Sequence, residues 1–211
     1  LQGRLDTRSE AYGIELRCDS FPLNSFLPAD SLGLLDLALQ AGGSGFDPLR
    51  AQTRGNIRLQ VDRAEFRGRD FGGVKLNANL EGGQLSGRLS DRDEALRLLL
   101  LISGTLTERK QEVRLTGNVF DFDLAELGIS PQKIGGSFAL EAGASASDAG
   151  SYTARIALDS IEVRTRHRTD RIRPTSLSLS SDTTATRARL ASGDLSLAFV
   201  SPGPVDSLVP A

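Results

Sequence analysis

The sequence predicts an all-β fold, an elongated antiparallel sheet built of repeated modules with one or two very short helical turns. Three observations carry this. Apolar residues recur at period two, turn residues interrupt them at intervals of roughly 8–14 residues, and one segment is written nearly twice. Residues 35–47 read LDLALQAGGSGFD and residues 136–148 read GSFALEAGASASD; a shift of 101 positions superposes Leu37 to Gly42 on Phe138 to Gly143, and Asp47 on Asp148. Strict alternation puts successive side chains on opposite faces of a strand, one face apolar and the other polar.

In chain order, Ile14, Leu16 and Cys18 open the pattern, so Cys18 reads as a small apolar residue of that face. Leu23 to Leu27 reads as a short helical turn ended by Pro28. Leu37 and Leu39 follow, then small residues at alternate places, Ala41, Gly43 and Gly45, with Gly42-Gly43 as a turn signal. Ile57, Leu59 and Val61 alternate with Arg58 and Gln60; Val74, Leu76, Ala78 and Leu80 alternate with Lys75, Asn77 and Asn79. Gly72-Gly73, Gly82-Gly83 and Ser90-Asp91 mark turns around them. The run Leu98 to Ile102 offers two apolar faces, Leu98, Leu100 and Ile102 on one and Leu99 and Leu101 on the other, so its parity stays open.

Val113, Leu115, Gly117 and Val119 resume the alternation. Asp123 followed by Glu126 ahead of Leu127 fits a capping box opening one or two helical turns, stopped by Gly128 and Pro131. Phe122 and Leu124 lie 101 positions after Phe21 and Leu23, so the turn belongs to the repeat. Phe138 and Leu140 lead into Ala142, Ala144 and Ala146, and Asp148 to Gly150 turn the chain. Ile156 and Leu158, then Leu177 and Leu179, then Leu195, Leu197 and Phe199 complete the pattern, with Ser181-Asp182 as a further turn. The count comes to about 14–16 strands at this rhythm. Residues 1–200 read as one elongated unit of two related modules, about 1–101 and 102–200, and 201–211 as an irregular tail toward a further module.

Composition excludes several functions. The net charge of −2 gives no basic footprint for nucleic acid, and aromatic residues at 5%, with no Trp, supply few stacking platforms for bases or sugars. A single cysteine forbids an intramolecular disulfide and leaves a Cys-ligated zinc site without donors. Methionine is lacking even at position 1, from which the chain is expected to be a segment of a longer protein. Its longest apolar run, five residues, cannot cross a bilayer that needs about 20 residues of helix.

No catalytic constellation stands out, and the expectation is a protein that is not an enzyme and holds no metal or cofactor. His167, the only histidine, sits among arginines and reads as a surface strand residue. Asp91, Asp93 and Glu94 cluster carboxylates that could meet Ca²⁺, but a polar turn is needed there in any case. Arg164, Arg166 and Arg168 alternate as on one strand face, with Arg171 and Arg173 beyond. They are candidates for a phosphate headgroup or an acidic partner; a solvated face that discourages edge pairing explains them as well.

An amphipathic sheet must hide its apolar face, by folding into a sandwich, closing into a barrel or curling around something apolar. The scarcity of bulky aromatics and the alternate small residues leave space on that face. The candidate lining is the apolar set named above, from Leu37 and Leu39 through Ile57, Leu59, Val61, Val74, Leu76, Leu80, Leu98, Leu100, Ile102, Val113, Leu115, Phe138, Leu140, Ile156, Leu158, Leu177 and Leu179 to Leu195, Leu197 and Phe199.

The stretch from LALQAGGSGFD to LLLLISGTL resembles the repeating module of the TamB branch of the AsmA-like family. GNVFDFDLAELGI, GSFALEAGASASD, LDSIEVRT and ASGDLSLAF are similar to the same module in Bacteroidetes-like members. The resemblance implies a taco-shaped β-sheet with an apolar groove along its length, in a periplasmic protein anchored in the inner membrane. It also implies phospholipid movement between membranes, and assembly of outer-membrane proteins with an Omp85-type barrel partner. Around 15 strands at about 4.8 Å would extend to roughly 70 Å. The readings that compete with lipid carriage are a scaffold pairing nascent strands at a sheet edge and a closed adhesion or ligand-binding sandwich.

Overall fold

The computed structural model describes residues 2–25, 32–147 and 150–204. They form β1 (Gln2–Asp6), β2 (Ala11–Pro22), β3 (Leu32–Ser44), β4 (Arg54–Phe66), β5 (Arg69–Phe71), β6 (Val74–Glu81), β7 (Gln84–Arg92), β8 (Leu96–Leu106), β9 (Lys110–Asp123), β10 (Gly135–Ser147), β11 (Tyr152–Arg164), β12 (Thr169–Ile172), β13 (Thr175–Ser181), β14 (Ala185–Ser192) and β15 (Leu195–Pro202). All belong to one open, curled antiparallel sheet, in the order β1-β2-β3-β4-β6-β7-β8-β9-β10-β11-β13-β14-β15. Every described strand belongs to this one sheet, so there is no separate second sheet, and β1 and β15 at its two ends do not pair as they would in a closed barrel.

The two short strands leave the main path. β5 pairs with the end of β4, whose remaining length pairs with β6, and β12 does the same on β11 beside β13. The seven strands β2–β8 and the seven strands β9–β15 therefore follow the same order, each with its side strand in third-to-fourth place. Thirteen strands in line give twelve spacings, about 58 Å across, less than a count of 15 would give.

The curl has a local cause. Register shifts occur between Cys18 and Phe21, Leu32 and Leu35, Asp36 and Leu37, Arg97 and Leu98, Gly136 and Phe138, and Ser137 and Ala139. All lie toward the same ends of their strands, forming a band along one long rim. Each extra residue bends its strand and raises the local twist, and a row of them bends the sheet along a line. Ser20, at φ 53, occupies the first of these irregularities, where its N–H donates to the Asp36 carboxylate.

Several expectations change. Gly42 and Gly43 lie inside β3, not in a turn. A Cβ at Gly43 would sit 2.2 Å from the Arg54 carbonyl oxygen and 2.8 Å from the Tyr12 hydroxyl; the glycine marks a close approach within the sheet. Ser90 and Asp91 lie inside the last part of β7, which runs to Arg92, and the turn comes after it. β15 continues through Ser201 and Pro202, so the expected tail starts later; residues 205–211 lie outside the described residues. Asp148 and Ala149 of another expected turn lie outside them too.

The first helical turn is a 3₁₀ segment, Leu23–Ser25, and Phe26 to Pro28 fall outside the described residues. The second is a single turn. The Leu127 N–H donates to the Asp123 carbonyl at 2.9 Å, and the Asp123 carboxylate accepts from the Ala125 and Glu126 N–H groups at 2.9 and 3.3 Å.

Candidate functional site: the apolar face

Antiparallel partners directly opposite each other share a face, so the registers give the composition of each side. One row runs Leu16–Leu39–Leu59–Leu76–Leu89–Leu100–Gly117–Leu140–Leu158–Thr175–Ser192–Leu195 across twelve strands. The next runs Ile14–Ala41–Ile57–Ala78–Gly87–Ile102–Leu115–Ala142–Ile156–Leu177–Leu190–Leu197, and a third Tyr12–Gly43–Gly55–Leu80–Leu85–Gly104–Val113–Ala144–Ala154–Leu179–Ala188–Phe199. On the other flank of the leucine row lie Cys18–Leu37–Val61–Val74 and then Asp91–Leu98–Val119–Phe138.

All the residues of the candidate lining thus stand on one face. The parity left open in β8 is resolved: Leu98, Leu100 and Ile102 join the rows, whereas Leu99 and Leu101 stand on the opposite face beside Asn118 and Thr116. Sequence reasoning missed Leu85, Leu89 and Leu190. Their alternation is present but diluted by Gly87 and by arginines on neighbouring positions.

The face is sheltered around Leu100 and Val119, each 6% exposed, and open toward both ends, where Ile14 is 47%, Ile57 43%, Leu177 47% and Leu197 57% exposed. The Phe122 and Phe138 rings, 6.1 Å apart between centroids, close the face near the bulged rim. Gly117 interrupts the leucine row because a Cβ there would meet the Leu99 carbonyl oxygen at 2.0 Å.

Two polar features enter this face. Asp91 is buried at 8% exposure, and that burial raises its carboxyl above the usual range, although the Asp93 N–H donates to it at 2.9 Å. Thr175 and Ser192 replace leucines in the main row and satisfy each other, their hydroxyls 2.8 Å apart.

The acidic turn carries no metal geometry. Asp93 accepts from the Gly72 and Ala95 N–H groups at 2.9 and 2.8 Å, so its carboxylate closes the turn, and no group of three potential ligands gathers among the described residues. The arginine cluster does not form a strand face. Arg164 ends β11, Arg166 and Arg168 stand in the hairpin turn with the exposed His167, and Arg171 lies in β12. Arg164 pairs with Asp121, Arg168 with Asp170 at 2.7 Å and Arg173 with Asp194 at 2.5 Å. Among the described residues only Arg166 and Arg171 of the five meet no carboxylate. The hairpin closes through the Thr165 N–H donating to the Arg168 carbonyl at 2.8 Å, which is why the alternation stops there.

The clefts of the molecule open mainly on the polar side. One of about 440 Å³ is bordered by Glu112, Arg114, Glu141 and Arg155, and one of about 570 Å³ by residues of β4, β6 and β7. The apolar face is instead a broad continuous strip, suited to long flexible chains rather than to a compact ligand. Among the described residues no helix is long and apolar enough to cross a membrane. No protein-family model, curated protein or solved structure matches the chain.

Proposed function

We propose that this chain is a segment of a TamB/AsmA-like protein whose apolar sheet face carries phospholipid acyl chains between the inner and outer membranes. The observation that supports it is the alignment of mainly aliphatic side chains in cross-strand rows that span twelve strands of a single open sheet. Removing a methylene from water is worth about 0.8 kcal/mol. A strip of near-equivalent leucines holds tails through that term and lets them slide, because no position binds much more tightly than its neighbours. The step needs no catalytic residue. In this reading the parent protein is anchored in the inner membrane, the segment lies in the periplasm, and an Omp85-type barrel is the outer-membrane partner.

The test is native mass spectrometry of the purified segment followed by organic extraction. Phospholipid should be recovered with the native sequence and lost with Leu76→Asp or Leu115→Asp while the strand circular-dichroism signal survives. A lipid-free native protein, or lipid retained by both variants, overturns the proposal.

One feature favours a second reading, a scaffold for outer-membrane protein assembly. β15 is an edge strand of eight residues without a charged side chain, exposed along most of its length. Such an edge can receive another strand. Capture of an amphipathic barrel-strand peptide along β15, with no lipid on the apolar face, would support the scaffold instead.

A further inference from the structure

The face opposite the leucine rows carries a site of different chemistry. On β4, β6 and β7, three cross-strand rows form a grid: Gln60–Lys75–Ser90, Arg58–Asn77–Arg88 and Asn56–Asn79–Ser86. Every one of the nine positions is polar, three are cationic and none is a carboxylate. Asn56, Arg58, Asn77, Asn79, Ser86 and Arg88 border the cleft of about 570 Å³.

A face built only to be wetted would pair its charges across strands, since opposite charges in register are favourable and uncompensated like charges are not. The same pair of strands shows this one row further on, where Arg54 meets Glu81 at 3.5 Å. Carboxylates on these and the neighbouring strands contact other groups than the three cations. Glu81 holds Arg54, Asp62 accepts from the Gln60 amide at 2.7 Å, and Glu15 accepts from the Gln40 amide at 3.4 Å. Among the described residues Arg58, Lys75 and Arg88 have no ion-pair partner.

Arg58 and Arg88 flank Asn77 from either side, about 10 Å apart at two strand spacings. Both guanidinium groups can reach a single oxyanion above Asn77, where forked N–H donors match phosphate oxygens. The Asn77, Asn79 and Ser86 side chains supply neutral donors and acceptors for the hydroxyls of whatever carries that anion. We infer that this cleft binds a phosphate group borne on a hydroxyl-containing ligand. The site is independent of the acyl-chain reading, because it lies on the other face and uses none of the same side chains.

The experiment follows the arginine side-chain N–H signals and, as the readout retained in every variant, the Asn77 and Asn79 side-chain amide signals by NMR at low salt during titration with inorganic phosphate, glycerol phosphate, or phosphatidylglycerol vesicles in a phosphatidylcholine background. The native protein should show saturable shifts at Arg58 and Arg88. The double variant Arg58→Gln/Arg88→Gln should bind about tenfold or more weakly. Arg4→Gln/Arg8→Gln, an equal charge change on the exposed β1–β2 hairpin, should bind as the native protein does. Response to soluble phosphates identifies a free phosphorylated ligand, and response to the vesicles alone identifies a lipid headgroup; both support the site. No saturable response to any probe, or equal weakening by the two double variants, shows a merely solvated surface and overturns the inference.

Discussion

Truncating leucines along one row separates an open face from a filled core. Fully burying a leucine side chain is worth about 1.5–3 kcal/mol, and truncation in a sealed site adds a cavity cost. Leu100, at 6% exposure, retains nearly all of that, so Leu100→Ala should cost about 2–4 kcal/mol. Leu177 and Leu197, at 47% and 57% exposure, keep about half or less and leave no cavity behind. Leu177→Ala and Leu197→Ala should each cost about 1 kcal/mol or less. In urea the midpoint for Leu100→Ala should fall by roughly 1 M, with those of the other two changing by a few tenths at unchanged slope. Equal losses at Leu100 and Leu197 would refute the reasoning, since they require a layer that covers the β13–β15 end.

Other consequences follow from single residues. Gly117→Ala drives a Cβ into the Leu99 carbonyl and should destabilise by about 1–3 kcal/mol, seen as a lower melting temperature. Burial raises the Asp91 carboxyl, so its charged form opposes folding near neutrality. Asp91→Asn should raise the melting temperature at neutral pH, with a gain that shrinks as pH falls through the raised value and vanishes below about 3.8. Asp182 has the opposite sign. The Thr184 hydroxyl, then the Thr184 and Ala185 N–H groups, hold its carboxyl well below the usual range. Asp182→Ala should lower stability at neutral pH, and the difference should fade as acid protonates the native carboxylate. Placing a charge on the bare edge, Ala198→Lys in β15, should reduce light scattering of concentrated protein relative to the native sequence.

The strands were legible because the sheet has one apolar and one polar face, which imposes alternation on every strand. Ile57, Leu59 and Val61 could occupy no other arrangement. The 101-residue shift likewise anticipated that Leu39 and Leu140 stand in the same row. Glycine misled where it serves a close approach instead of a turn, as at Gly43 beneath the Tyr12 hydroxyl. The parity of Leu98 to Ile102 was not legible, because Leu99 and Leu101 make both faces apolar locally; only the pairing with Asn118 and Thr116 assigns them. The arginine cluster misled for a related reason. Alternation in RTRHR mimics a strand, but the chain reverses there, and three of the five arginines meet carboxylates: Asp121 of β9, Asp170 of β12 and Asp194 of the β14–β15 turn. The Arg58–Asn77–Arg88 row was invisible for want of register, since its members are separated in sequence and meet only through β6.

Acyl-chain carriage on the leucine face is tested most directly by photocrosslinking with a phospholipid carrying a diazirine near the end of one acyl chain, followed by peptide mapping. It predicts adducts on Leu59, Leu76, Leu115 and their row partners, with none on Arg58, Asn77 or Thr116, which stand on the reverse of the same strands. Adducts spread evenly over both faces, or no adducts, would contradict it.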